Sequence, residues 1–349
     1  MNLLQLYLSL FMVFHGLRST FAKEEYVVEF YEEIRMDGPF SSMHTIPDRR
    51  QFLGTCYAYA FGDFLDTLLK RTSSFYPKMS RIILAIDNNI LFQQQFDKKR
   101  FYYWHLKDLF QFEFPLNGGN MWNNTIVMNT IGYYPHHLIE GRLNILFEKK
   151  YLHLSSTFER LEALFEDLRV YYIRMDINAI QELLSLWKLE KEKIYSAVSK
   201  SSFLLFLKEI LTEKEQYRII SDNILQWKAA PINQSKIPYY HQEVLKKITS
   251  KSSMPIPIDY CFKVFLKGSA PNNLLDKEEC GFHVSTIIGK RLIRNVYNKL
   301  EWQVLIKDSN KIDYTLHPNF QAVGQYKIWI SLETLLKSSC TYYYHDGNL

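Results

Sequence analysis

Glycine and proline are scarce in this chain, 13 and 11 among 349 residues, which speaks against a disordered or low-complexity polypeptide. Cysteine is scarcer still, with four residues at Cys56, Cys261, Cys280 and Cys340. Neither these nor the ten histidines fall at metal-ligand spacing, so no metal and no organic cofactor is expected. The net charge of +5 is spread without a basic tract or an aromatic-basic stripe, which excludes nucleic acid as the expected partner. No internal repeat is present. The apolar run from Leu3 to Phe14 is too short to span a bilayer of roughly 30 Å as a helix, so no membrane span is expected.

What the chain does have is apolar and aromatic mass, 47% and 15% of its residues, including 24 Tyr and 24 Phe. This composition implies a densely packed globular protein, long enough for one large domain or for two lobes sharing a cleft. The short N-terminal apolar run fits a signal peptide over residues 1–22. Thr20 and Ala22 set cleavage before Lys23, although no Lys or Arg precedes the run and a buried N-terminal helix is the alternative. Export implies a secreted or periplasmic protein in an oxidising compartment, where one disulfide is expected. Cys261 with Cys280 is the expected pair, closing a loop worth on the order of 3 kcal/mol in the chain-entropy account. Two buried thiols are the alternative.

From Cys56, the run CYAYAFGDFLDTLLKR sets Tyr57, Ala60, Phe61, Phe64, Leu65 and Leu68 on one helical face, with Lys70 and Arg71 in the last turn. Thr55 is the expected N-cap. Residues from about 155 to 250 are Leu-, Phe-, Lys- and Glu-rich at helical periods and predict a helical insert. The C-terminal hundred residues change to strand-like runs, VSTIIGKRLI, WQVLIKDS and YKIWIS, separated by turn residues. The fold class is therefore α+β, helices first and a sheet later. Asn123-Asn124-Thr125 and Asn233-Gln234-Ser235 match the glycosylation pattern.

A cysteine at a helix N-terminus sits where unpaired N–H groups and the helix dipole favour an anion. By position alone it is as readily a small core residue. The text around it is more specific, for QFLGTCYAYA resembles the active-site segment of the papain and cathepsin family of cysteine peptidases. The resemblance continues in order. LNGGNMW is similar to the glycine pair of the substrate cleft, IGYYP follows it, PIPIDYCFKVF resembles the strand opening the second lobe, and CGFHVSTIIGKR the segment presenting the catalytic histidine. WQVLIKDSNK resembles the strand ending in the catalytic asparagine, and YKIWISLETLLK the closing strand and turn. The interval from Cys56 to His283, 283 − 56 = 227 residues, exceeds the family's roughly 130 to 150. The helical insert at about 155–250 accounts for the excess.

The resemblance implies a papain-like two-lobe fold over residues 23–349, of the kind found in a divergent, secreted, bacterial member. The helical lobe would carry Cys56 and the β-rich lobe His283. It further implies hydrolysis of protein or peptide substrates by a monomer through a thioester, with Cys56 as nucleophile, His283 as base and acid, and Asp308 orienting the imidazole. Gly118 and Gly119 would let a substrate backbone approach, an ordinary turn being the alternative. Two departures stand out. Arg50 occupies the oxyanion-hole glutamine position, with Gln51 one place later. Ser309 is followed by Asn310 and Lys311 where relatives carry a shielding tryptophan, which predicts an exposed, weaker histidine pair. A catalytically impaired homologue acting as a binding protein and a transglutaminase-like acyltransferase are the alternative functions.

Overall fold

The computed structural model describes residues 29–38, 55–72, 78–95, 121–212, 227–249, 253–261, 282–295, 297–309 and 321–345. A first strand, β1 (Glu29–Arg35), precedes the helix α1 (Cys56–Thr72), which begins at the cysteine as predicted. The Thr55 carbonyl accepts from the backbone N–H groups of Ala58 and Tyr59, starting the helix one residue before Cys56. Then come α2 (Arg81–Gln95), α3 (Met121–Thr130) and α4 (His136–Lys150).

The next four helices are α5 (Thr157–Arg174), α6 (Ile177–Leu183), α7 (Lys191–Val198) and α8 (Phe203–Leu211). Their ends are chemically marked. Ser156 and Glu159 form a reciprocal capping box at the start of α5, and Met175 in the left-handed region ends it. Asp176 and Ser202 cap α6 and α8. Leu164, Phe165 and Leu168 of α5 share one buried core with Ile180, Ile194 and Phe206 and with Ile139, Leu143 and Phe147 of α4. Lys208 also pairs with the buried Asp87 of α2 at 2.5 Å, tying α8 to the helical lobe.

After these helices the chain changes character. Strand β2 (Trp227–Pro231) and α9 (Ile237–Lys247) are followed by β3 (Ile256–Cys261), β4 (Phe282–Arg294), β5 (Leu300–Lys307), β6 (Gln321–Ala322) and β7 (Lys327–Ser331). Helix α10 (Leu332–Lys337) and β8 (Ser339–His345) complete the described chain. The strands form one antiparallel sheet in the order β2-β8-β3-β4-β5-β7-β6, with β1 also pairing with β4. The stretch from 155 to 250 thus divides. Helices up to Leu211 pack in the helical lobe, whereas β2 joins the sheet edge and Val244 and Leu245 of α9 enter the sheet's own core of Ile258, Ile287, Ile306 and Ile330. The fold is α+β, a helical lobe against an antiparallel sheet.

Helix α1 lies between the two. Phe61 and Phe64 meet the Trp227 ring at centroid distances of 5.0 and 5.6 Å, and Trp227 meets Tyr343 of β8 at 5.3 Å. Each such buried aromatic contributes roughly 2–3 kcal/mol through the area it removes from water, so α1 is held to the sheet edge by its own apolar face. Among the described residues, no helix is long and apolar enough to cross a membrane.

Candidate active site

Three elements converge on the predicted residues. Cys56 opens α1, His283 is the second residue of β4, and Asp308 follows the last residue of β5. Strands β4 and β5 are neighbours paired from Thr286 and Lys307 onward, so the sheet itself brings His283 and Asp308 to the same end. The Val284 backbone N–H donates to Cys56 Sγ at 3.4 Å across the junction of helix and sheet.

His283 Nε2 lies 2.9 Å from Asp308 Oδ1 and 3.0 Å from Oδ2. A carboxylate only accepts, so Nε2 carries the proton. Cys56 also acts on the imidazole, and with Nε2 engaged by Asp308 the nitrogen left to face it is Nδ1. Burial works to lower the histidine pKa, but the charges and hydrogen bonds of Asp308 and Cys56 outweigh it and push it up to about 10. A protonated imidazole held by the Asp308 carboxylate is therefore the favoured state at neutral pH.

The predicted exposure of the pair is not what the structure has. His283 is 4% and Asp308 1% exposed, despite Asn310 and Lys311 standing in place of a shielding tryptophan. The cover comes from an unpredicted direction: the Tyr260 ring of β3 packs edge-on against the imidazole at 5.6 Å between centroids, with the planes at 79°. Cys56 is 8% exposed.

Helix α1 is fixed from both sides. On the helical side, Asn89 Nδ2 donates to the Tyr57 hydroxyl at 2.6 Å and Asn124 Nδ2 to the Tyr57 carbonyl at 3.1 Å. These contacts use the first glycosylation pattern for packing: Asn123, 1% exposed, is inaccessible to a glycan in the folded chain, whereas Asn233 is exposed. On the sheet side, Asp63 pairs with Lys307 at 2.9 Å, and Ala60, Asp63, Thr286 and Asp308 line a small cavity.

Of the remaining predicted residues, Arg50, Gln51, Gly118, Gly119 and Cys280 lie outside the described residues. Cys261 is disulfide-bonded, whereas Cys56 and Cys340 are thiols outside any disulfide. Sequence reasoning missed Tyr260, Ser285 and Lys307, which all touch the site. Their only signal was position, two of them flanking predicted triad residues at one or two places.

No protein-family model and no curated protein sequence matches the chain. Solved structures do. The bromelain protease from Ananas comosus in complex with the E64 inhibitor is 10% identical, over 90% of this chain and 98% of that one, with a TM-score of 0.40. The Amb a 11 cysteine protease, a major ragweed pollen allergen, in its proform is 12% identical over 92% of this chain and 67% of that one, with a TM-score of 0.38. The recombinant stem bromelain precursor is 11% identical over 91% and 72%, with a TM-score of 0.39. The likeness is coarse, and the chemistry of the site rests on the geometry of Cys56, His283 and Asp308.

Proposed function

We propose that the chain is a papain-like cysteine peptidase that hydrolyses peptide bonds through a thioester on Cys56. The observation that carries this reading is the series Cys56–His283–Asp308, brought together from three separate elements and buried, with His283 hydrogen-bonded to Asp308 and the backbone N–H of the next residue, Val284, bonded to Cys56 Sγ. Cys56 Sγ, as thiolate, attacks the substrate carbonyl carbon, and the Nδ1 proton of the His283 imidazolium passes to the leaving amine as the C–N bond breaks. A water molecule then gives its proton to the neutral imidazole and attacks the thioester, releasing the acid and restoring the thiolate–imidazolium pair. Asp308 keeps Nε2 protonated and Nδ1 aimed at sulfur.

Gln51 or Arg50 is assigned to the oxyanion, Gly118 and Gly119 to the substrate backbone, and Cys280 to the disulfide with Cys261. Export to the cell exterior or periplasm, as a monomer cleared of residues 1–22, is supported by the N-terminal pattern and by the bonded state of Cys261. Fluorogenic peptide turnover with and without Cys56→Ser, read beside iodoacetamide alkylation of Cys56 against Cys340, tests the reading. Cys56-dependent hydrolysis and faster alkylation at Cys56 are expected. Alkylation no faster at Cys56 than at Cys340, with no turnover, would make the chain an impaired homologue, and transfer to an added amine in place of hydrolysis would make it an acyltransferase.

A further inference from the structure

Asp308 is held by more than the histidine. The Tyr260 hydroxyl of β3 donates to its Oδ2 at 2.9 Å, and the Ser285 hydroxyl of β4 donates to the same atom at 2.8 Å. The two hydroxyl oxygens lie 2.8 Å from each other. All three side chains are buried, Tyr260 and Ser285 at 0% and 1% exposure. A tyrosine and a serine carry one hydroxyl proton each, and the only anion in this triangle is the carboxylate, so both protons are best spent on Oδ2. The arrangement has a geometric consequence. With Oδ2 fixed by two donors from different strands, rotation of the carboxylate about its Cβ–Cγ bond would break both bonds, and the plane that meets His283 Nε2 is set.

We infer that Tyr260 and Ser285 are positioning residues that hold Asp308 charged and oriented toward His283, extending the Cys56–His283–Asp308 series to five residues. This rests on the peptidase reading of that series. Burial and the neighbouring Asp308 charge raise the Tyr260 pKa well above its usual value, so the hydroxyl remains a donor throughout the working pH range. The groups that meet the Asp308 carboxylate come from two strands, Tyr260 from β3 and His283 and Ser285 from β4, while Cys56 of α1 meets the β4 backbone at Val284. Lys307 on β5 is paired with Asp63, and the Tyr326 carbonyl accepts from the Asp308 backbone N–H. The Tyr260 and Ser285 hydroxyls thus add two neutral donors to the His283 N–H, and together these help a carboxylate to stay ionised with almost no contact with water.

The pH dependence of Cys56 alkylation reads this directly. Hydrogen bonds to a charged acceptor are strong enough that losing one donor should raise the acid limb of the profile by about one pH unit in Tyr260→Phe and in Ser285→Ala. Ser285→Thr, which keeps the hydroxyl, should return the limb to its wild-type place, and the double variant Tyr260→Phe/Ser285→Ala should move it further than either. Should Tyr260→Phe not fold, Ser285→Ala decides alone, since it removes a single buried oxygen. An acid limb that stays put in a folded Ser285→Ala protein overturns the inference while leaving the peptidase reading intact. A wild-type Cys56 alkylated no faster than Cys340 instead removes the peptidase reading itself.

Discussion

Asp63, two turns along α1 from Cys56, lies 2.9 Å from Lys307, the residue immediately before Asp308. Cys56 and Asp308 therefore sit on elements that are locked together by an ion pair. Asp63 also meets Arg81 of α2 at 3.1 Å, and Arg81 meets Asp66 at 2.6 Å, so two carboxylates of α1 hold two cations from opposite sides. Helix, helical lobe and sheet are coupled through Asp63.

Removing one member of a buried pair leaves the other uncompensated, which is where the large penalty arises. Asp63→Asn takes a buried carboxylate from both Lys307 and Arg81, so it should destabilise the protein by about 3–5 kcal/mol. Lys307→Met leaves Asp63 with Arg81 and should cost about 1–2 kcal/mol by the same reasoning. Urea unfolding midpoints check the order. Equal effects would mean that Lys307 and not Arg81 neutralises Asp63.

Asp308 sets the alkaline reach of the site. With its charge beside the imidazole the His283 pKa stands near 10, and Asp308→Asn keeps an acceptor while deleting that charge. The basic limb of the peptide-turnover profile should then fall by about one to three pH units, and turnover at neutral pH should hold or rise because a less basic imidazolium is a better acid toward the leaving amine. Asp308→Ala should damage both. Folding stability depends on the same shift. A raised native pKa stabilises below the unfolded value of about 6.5, and that support is lost as pH rises through about 10. Thermal midpoints should therefore decline over this window in the wild type and less in Asp308→Asn. An unchanged alkylation profile and turnover in Asp308→Ala would remove Asp308 from the site.

The frame of the site was legible because its elements have strong local signals. The amphipathic period from Cys56 to Arg71 and the apolar runs around His283 and before Asp308 predicted α1, β4 and β5, and the order of segments suggested which residues face one another. Burial of the His283 pair was not legible. Its cover, Tyr260, is 23 positions upstream on β3 and reaches the imidazole only because β3 pairs with β4, Tyr260 opposite His283. Cross-strand neighbours of this kind depend on register, which no local pattern in PIPIDYC announces. The division of the helical stretch near residue 227 escaped for a related reason: WKAAP is short and only partly apolar, and it becomes a strand by pairing with β8, more than a hundred residues on.

Asp259 is a destabilising carboxylate at neutral pH. Burial raises its pKa to about 6, against the opposing backbone N–H bonds from Thr341 and Cys340. A raised native value stabilises below the unfolded value of about 3.8 and is lost as pH rises through about 6. Asp259→Asn keeps an oxygen for the Cys340 N–H at 3.2 Å and removes the buried charge. It should therefore stabilise the protein at pH 8 by up to about 3 kcal/mol and have little effect at pH 4. Denaturant melts at the two pH values check this, and an equal effect at both would show that titration of Asp259 is not involved.

Glycine at position 62 is required by Arg81, and the requirement can be measured against a control within the same protein. A Cβ built on Gly62 would lie 2.4 Å from Arg81 Nε and 2.7 Å from Cζ. The guanidinium has nowhere to go. It is 2% exposed, is paired with Asp63 and Asp66, and donates to the Met79 carbonyl at 2.8 Å. Replacing glycine by alanine inside a helix ordinarily gains about 1 kcal/mol, but displacing Arg81 combines overpacking, at about 1–3 kcal/mol, with disruption of a buried ion cluster. The second effect wins, and Gly62→Ala should destabilise by about 2–4 kcal/mol net. Gly141 in α4 has nothing within 4 Å of its Cβ position and is exposed, so Gly141→Ala should stabilise by up to about 1 kcal/mol. The same substitution in two helices thus takes opposite signs in urea unfolding. Because Gly62 lies on the helix led by Cys56, Gly62→Ala should also slow Cys56 alkylation, whereas Gly141→Ala should leave it unchanged. A stabilised Gly62→Ala protein would mean that the Arg81 cluster yields without cost and does not hold α1 in place.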